Sequence, residues 1–292
     1  MHSHPNSPNQ NFKWAFFINL AFSIIEVVGG FLFGSIAILT DALHDFSDSL
    51  SLGIGWYFQV LSGKRQTEDY SYGYRRFSLL GAIINGTILI IGSLFFIYHS
   101  ILRFINPGEP MALGMIGLSV VGIGFNYWAY WKMHGGKSLN EQVVSLHLLE
   151  DVLGWVAVLV GGGLIYFFNW VWVDPLLSLS ISLFIGYKAV IRLKNCIHLM
   201  LQGVPGEIKI KELIKDCETI DEVERIHDIH IWSMDGELNV LTIHLSVKQE
   251  ITLEEQHKLK EKIKAKMKEK DIQHVTIEIE KVEFMKDHSF LH

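Results

Sequence analysis

His44 and Asp48 stand four residues apart inside a strongly apolar run, and His147 and Asp151 repeat that arrangement further along the chain. Four residues is about one helical turn, so each pair sets an imidazole and a carboxylate on one helix face. An ionisable side chain at membrane depth is expensive and marks a functional site by default. Four of them in two matched pairs, with no Lys or Arg beside them, call for a cation. Two neutral imidazoles and two carboxylates also make a four-ligand N/O set that suits a tetrahedral Zn²⁺.

The neighbours of these pairs sort by helical phase. Asp41 falls on the stripe of His44 and Asp48, where it can support the ligands from behind or line a polar access path. Asp45 lies about 100° round the helix from His44 and Glu150 is similarly off its stripe; both are expected to face water or another helix. Asp45 shares with Asp41 the role of supporting or access residue. Glu26, Asn85 and Asn126 either line a polar cavity or hydrogen-bond between helices.

Composition narrows the class. The 292 residues are 49% hydrophobic with mean hydropathy +0.27, too apolar for an ordinary soluble domain, and the excess lies before residue 200. A net charge of -6 and the lack of a basic stripe interleaved with aromatics speak against a nucleic-acid partner. No GxxxxGK[ST] loop or phosphorylated-Asp context is present, so ATP is not the expected driving force. Cys196 and Cys217 form neither a disulfide framework nor a CxxC knuckle. The first apolar run is longer than a signal-peptide core and lacks a small-residue cleavage site, so it reads as a retained span.

About 20 mostly apolar residues cross a bilayer as helix. Six segments meet this, at 12–33, 36–61, 77–103, 111–132, 141–167 and 173–200. They are separated by short breaks such as Phe33-Gly34-Ser35 and the Asn106–Pro110 turn. Lys13, Lys64, Arg65, Arg75, Arg76, Lys132, Lys137, Arg192 and Lys194 collect on one side, against Arg103 on the other. The positive-inside rule therefore places both termini in the cytoplasm of a multi-pass cell-membrane protein.

From residue 204 the character changes to helix 206–218, strand 222–232, strand 237–247, helix 252–269 and strand 273–281. Leu241, Ile243, Leu245 and Val247 alternate with polar neighbours, as do Val275, Ile277 and Ile279, and Asp235-Gly236 signals a hairpin. The expectation is a membrane α-helical protein with an α+β tail of αββαβ order. Its domains are an N-terminal tail at 1–11, a transmembrane domain at 12–203 and a cytoplasmic domain at 204–292. The tail is near the lower size limit for a lone core, which favours dimerisation.

With these residues in place, the chain resembles the cation diffusion facilitator family over nearly its whole length. The resemblance rests on Leu39-Thr40-Asp41-Ala42-x-His44-x-x-x-Asp48, Tyr72-Gly73-Tyr74-x-Arg76, the Arg103/Pro107 pair and His147-x-x-x-Asp151. It rests further on Asp174-Pro175, Gly203-Val204-Pro205 and Val223-x-x-Ile226-His227-Asp228-x-His230-x-Trp232. It implies a homodimeric divalent-cation/proton antiporter that exports metal from the cytoplasm and carries a metallochaperone-like (ferredoxin-like) C-terminal fold. A His in both pairs is similar to the zinc-preferring subset. The resemblance also maps the family's tail ligands onto His227, His244 and His257, with Glu278 and Glu280 where a third-strand His and Asp occur.

The chain departs from some members. The loop Lys132-Met133-His134-Gly135-Gly136-Lys137 is too short and His-poor to hold metal, Tyr70 and Tyr74 stand where some relatives have histidines, and His2 and His4 form only a vestigial cluster. Metal and protons compete for the same deprotonated ligands, which gives protons the role of counter-ion. The rival readings are efflux of Cd²⁺, Co²⁺, Fe²⁺ or Mn²⁺, and a membrane-anchored metal sensor without transport. A zinc hydrolase would need an open metal position and a general base, and no HExxH element is present.

Overall fold

A computed structural model describes residues 8–62, 67–133, 139–249 and 251–281; along 8–15, 58–62 and 139–147, and at a few single positions, only the backbone is described. The N-terminal His2 and His4 and the 134–137 part of the fourth loop lie outside the described residues. The chain forms two compact units, Met1–Lys64 with Gly81–Leu193, and Arg65–Leu80 with Lys194–His292.

Among the described residues, the first unit is built from six long helices: α1 (Pro8–Phe33), α2 (Ile36–Ser62), α3 (Phe77–Ile105), α4 (Ala112–Met133), α5 (Leu139–Phe168) and α6 (Val173–Met200). Four stretches, Phe77–Ile105, Ala112–Trp131, Leu148–Phe168 and Val173–Met200, are long and apolar enough to cross a bilayer. The apolar part of α1 is Asn19–Phe33, and α2 is diluted by Asp41, Asp45 and Asp48. Large apolar side chains point outward, among them Phe31 (72% exposed), Ile91, Phe95 and Phe184, while Glu26, Asp41, Asp45 and Asp174 are buried. That inversion is what a lipid solvent imposes, because outside apolar groups cost nothing there and polar ones must be enclosed.

The α1–α2 joint shows how local sequence sets these helices. Gly34 sits at φ 64°, the left-handed position that ends α1, and Ser35 N–H donates to Gly30 O and Gly34 N–H to Phe31 O. Ser35 then caps the next helix, its Oγ accepting from Ile38 N at 3.2 Å. The result is a sharp reversal that lays α1 along α2; α4 lies along α5 in the same way, while α2 and α5 meet sparsely. Small residues set the closest approaches: a methyl group at Gly122 would fall 2.4 Å from the Trp155 ring, and one at Gly114 would fall 2.2 Å from Phe33.

The second unit contains α7 (Ile210–Glu218), β1 (Val223–Ser233), β2 (Asn239–Val247), α8 (Leu253–Glu269) and β3 (His274–Lys281), the αββαβ order expected. The sheet order is β1-β2-β3, antiparallel then parallel, with α8 as the crossover. Leu241, Ile243 and Leu245 point to one face and pack with Leu213, Leu259, Ile263 and Met267 of the two helices. Thr252 and Glu255 form a reciprocal capping box that starts α8. α7 begins at Ile210 rather than 206, because the segment after Pro205 first makes a turn closed by Ile208 N to Pro205 O at 2.9 Å. The hairpin holds its tip through Asp235, whose Oδ1 accepts from Glu237 N and Leu238 N. The segment before α3 folds with this unit: Arg75 pairs with Asp235 at 2.9 Å, and Tyr70 and Tyr74 stack with each other and with Phe77.

Candidate metal centre

α2 brings His44 and Asp48 to one face, with His44 Nε2 3.7 Å from Asp48 Oδ2. Two vertices of a tetrahedron with bonds of about 2.0–2.2 Å lie roughly 3.3–3.6 Å apart, so this spacing is close to that of two ligands sharing an ion. Both side chains are partly accessible, at 20% and 17%. Asp151 of α5 is within electrostatic range of Asp41 and Asp45 of α2 and of Glu26 of α1. Asp41 itself reaches toward α5: a methyl group at Gly154, three residues after Asp151, would lie 3.8 Å from Asp41 Oδ1. The backbone of His147 is helical one turn before Asp151, and its side chain lies outside the described residues.

The flanking carboxylates separate clearly. Asp45 is 6% exposed and faces another helix rather than water, being opposite Glu26, which is fully buried. Glu150 is exposed and pairs with Lys188 of α6 at 2.5 Å. Lys188 and Arg192 help line a small cavity that also contains His44 and Glu150, so cationic groups do approach one side of the site. Asn85 accepts from Ser47 Oγ and donates to Ser51 Oγ, and Asn126 donates to Gly122 O, which makes both of them hydrogen-bonders.

What holds α2 in place was not visible in its own sequence. Asp174, at the start of α6 and 1% exposed, accepts from Ser35 Oγ at 2.5 Å, Ile36 N at 2.9 Å and Ala37 N at 3.2 Å. A carboxylate from one helix therefore satisfies the orphan donors of another and complements its positive end. A hydroxyl chain continues inward from Ser100 to Ser178 to Thr40, at 2.8 and 2.7 Å, and Thr40 Oγ1 donates to Ile36 O. In the sequence Asp174-Pro175 is only part of a motif; the partners of Asp174 lie more than a hundred residues away and are brought to it by the fold.

The tail assembles a second group. His227 of β1, His244 of β2 and Glu280 of β3 offer ligand atoms all within 4.8 Å of one another. Glu280 accepts from His227 Nε2 and His244 Nδ1, both at 3.0 Å. Burial works to raise the Glu280 carboxyl, but these two imidazole hydrogen bonds outweigh it and hold its pKa below the ordinary value. A β-bulge between His227 and His230 places Asp228 at φ 47°, with its Oδ2 3.5 Å from His244 Nε2 and its Oδ1 2.9 Å from His230 Nε2. Glu278 stands 3.6 Å from His244. His257 is not brought in: it is exposed on α8, which covers the opposite face of the sheet. Plain alternation along 222–232 could not reveal the bulge that adds Asp228.

A helix bundle with an apolar exterior, an acidic interior and an imidazole–carboxylate pair between its helices is the architecture of a membrane carrier for cations. Two family models match the chain, the cation efflux transmembrane domain over residues 13–201 and the cation efflux protein cytoplasmic domain over 205–282. The chain belongs to the cation efflux family, the cation diffusion facilitators, and is a transporter of metal cations rather than an enzyme. It is 36% identical over 287 residues to the cadmium, cobalt and zinc/H(+)-K(+) antiporter of Bacillus subtilis (strain 168), covering 96% of this chain and 91% of that one. It is 33% identical over 256 residues to the zinc transporter ZitB of Escherichia coli (strain K12), covering 84% and 82%. With the metal cation efflux system protein CzcD of Cupriavidus metallidurans the identity is 30%, over 96% of this chain and 89% of the relative.

Proposed function

We propose that the protein exports Zn²⁺ from the cytoplasm in exchange for protons, through a tetrahedral site of His44, Asp48, His147 and Asp151. The observation that carries this reading is the His44–Asp48 pair at 3.7 Å, on the helix whose Asp41 and Asp45 lie within electrostatic range of Asp151 on α5. The names of the relatives support it: one is a cadmium, cobalt and zinc/H(+)-K(+) antiporter and another a zinc transporter. The N₂O₂ set favours Zn²⁺ and admits Cd²⁺ and Co²⁺, while disfavouring hard Mn²⁺. Asp41 and Asp45 line the approach to the ion without binding it directly. All six long helices span the bilayer, both termini lie in the cytoplasm of a cell-membrane protein, and the domains run 1–11, 12–203 and 204–292.

The cytoplasmic domain pairs with a second copy, making a homodimer, which agrees with the name ZT_dimer borne by its family model. His227, His244 and Glu280, with Glu278 at the edge, bind a regulatory Zn²⁺ there; any role of His257 requires a second copy. Zn²⁺ uptake into proteoliposomes under an imposed pH gradient tests the main reading. The wild type accumulates Zn²⁺ and Asp48→Ala does not; a folded wild type without flux refutes transport.

A further inference from the structure

Lys188 of α6 reaches across to α5 and pairs with Glu150, Nζ to Oε2 at 2.5 Å, while its ammonium lies 4.3 Å from the centre of the Phe184 ring. Ionisable side chains at membrane depth are costly to keep and mark a functional element by default. This pair borders the small cavity that also contains His44, to which four helices contribute. Leu89 of α3 and Ile185 and Ala189 of α6 are buried and form its floor. Lys188 and Glu150, with side chains 33% and 50% exposed, stand at its rim, and His44 is the more enclosed at 20%.

The cavity measures about 20 Å³, room for a single water. A Zn²⁺ ion that still carries its hydration shell does not pass through such a space. Charge bars the way as well: Arg192, one turn beyond Lys188, is part of the same lining, and among the described lining residues Glu150 is the only acid. A divalent cation approaching from this side meets two positive groups and one carboxylate, and that carboxylate is already taken by Lys188.

We propose that Lys188 and Glu150 form a latch over the metal site. Closed, as here, it seals this approach to His44; it opens when an arriving Zn²⁺ takes the place of the Lys188 ammonium beside Glu150. Once the ion has moved on to His44 and Asp48, the pair closes behind it. The exchange swaps one cation for another at a single carboxylate and moves no proton. The inference rests on the transport reading above and adds to it two gating residues that are not among the four ligands.

The test follows how fast EDTA strips Zn²⁺ from the loaded full-length protein in detergent, taking the phase that Asp48→Ala lacks as the intramembrane ion. Lys188→Met and Glu150→Gln are each expected to release that ion about tenfold faster, as loss of one charge-assisted hydrogen bond from the closed state implies. The swapped pair Lys188→Glu with Glu150→Lys is expected to return toward the wild-type rate. A mere effect of nearby charge acts differently, because removing a cation tightens Zn²⁺ binding and removing an anion weakens it. Anything other than acceleration in both single variants therefore overturns the latch, and so does a swapped pair as fast as the singles. If the swapped protein does not fold, Lys188→Arg decides: the wild-type rate supports the latch, and the rate of Lys188→Met overturns it. A wild type without any Asp48-dependent phase refutes the metal site and the latch with it. Binding without flux in wild-type proteoliposomes defeats the transport reading instead, and the exchange rates still judge the latch.

Discussion

Asp174 Oδ1 and Ser35 Oγ meet at 2.5 Å between the start of α6 and the start of α2, and the same carboxylate also takes the Ile36 and Ala37 N–H groups. Hydrogen bonds to a charged acceptor are worth about 1.5–3 kcal/mol each, and a buried donor left without a partner costs about 1–3 kcal/mol. Asp174→Ala is therefore expected to destabilise the purified protein by at least about 2 kcal/mol, with Ser35→Ala milder. Thermal unfolding in detergent checks the order.

Two glycines of α4 differ in what they face. Gly122 abuts the buried Trp155 of α5, whereas nothing lies within 4 Å of a methyl group at Gly124. Gly122→Ala is expected to cost about 1–3 kcal/mol through overpacking, and Gly124→Ala to be close to neutral. Comparison of their melting temperatures tests the α4–α5 contact directly.

Ligand type sets selectivity in the proposed transport site. Replacing the imidazole in His44→Asp adds a hard oxygen ligand, so relative flux is expected to broaden toward Mn²⁺ or Cd²⁺. Competition assays with several metals read this, and an unchanged order of metals would show that ligand identity is not the filter.

In the tail, His244→Ala removes the residue that faces Glu280, Asp228 and Glu278 at once. The variant is expected to bind one Zn²⁺ fewer per chain at equilibrium, with intramembrane binding retained. Equilibrium dialysis of wild type and variant measures it.

Asp216 gives a pH signature. Its hydrogen bond from Lys270 at 2.9 Å, with the positive charges of Lys270 and Lys266, holds its carboxyl below the ordinary value. A depressed carboxylate stabilises the fold above its unfolded pKa, and that contribution is lost as pH falls through the folded value. The pair is exposed, so the effect is small and fades with salt. The melting difference between wild type and Asp216→Asn is expected at neutral pH and should close on acidification below the usual carboxylate range.

The helices and the tail order were legible because apolar runs of membrane length and period-two alternation are local signals. So was the pairing of His44 with Asp48, since one turn of helix suffices to bring them together. Contacts that depend on which helices pack side by side were not legible. Glu26 could be read as cavity lining or as a hydrogen-bonder, and only its position opposite Asp45 decides what surrounds it. Asp174 lies more than a hundred residues from the α2 donors it satisfies. Asp228 joins His244 through a bulge that breaks the pattern from which strands are read, and helical phase alone leaves Asp45 facing either water or another helix.

The sparse meeting of α2 with α5, beside the close alignment of α1 with α2 and of α4 with α5, has a mechanical meaning. His44 and Asp48 belong to one hairpin and Asp151 to the other. In the proposed loaded state a single ion becomes the rivet between two stiff plates that otherwise touch lightly. Cargo release then loosens the very joint that has to swing.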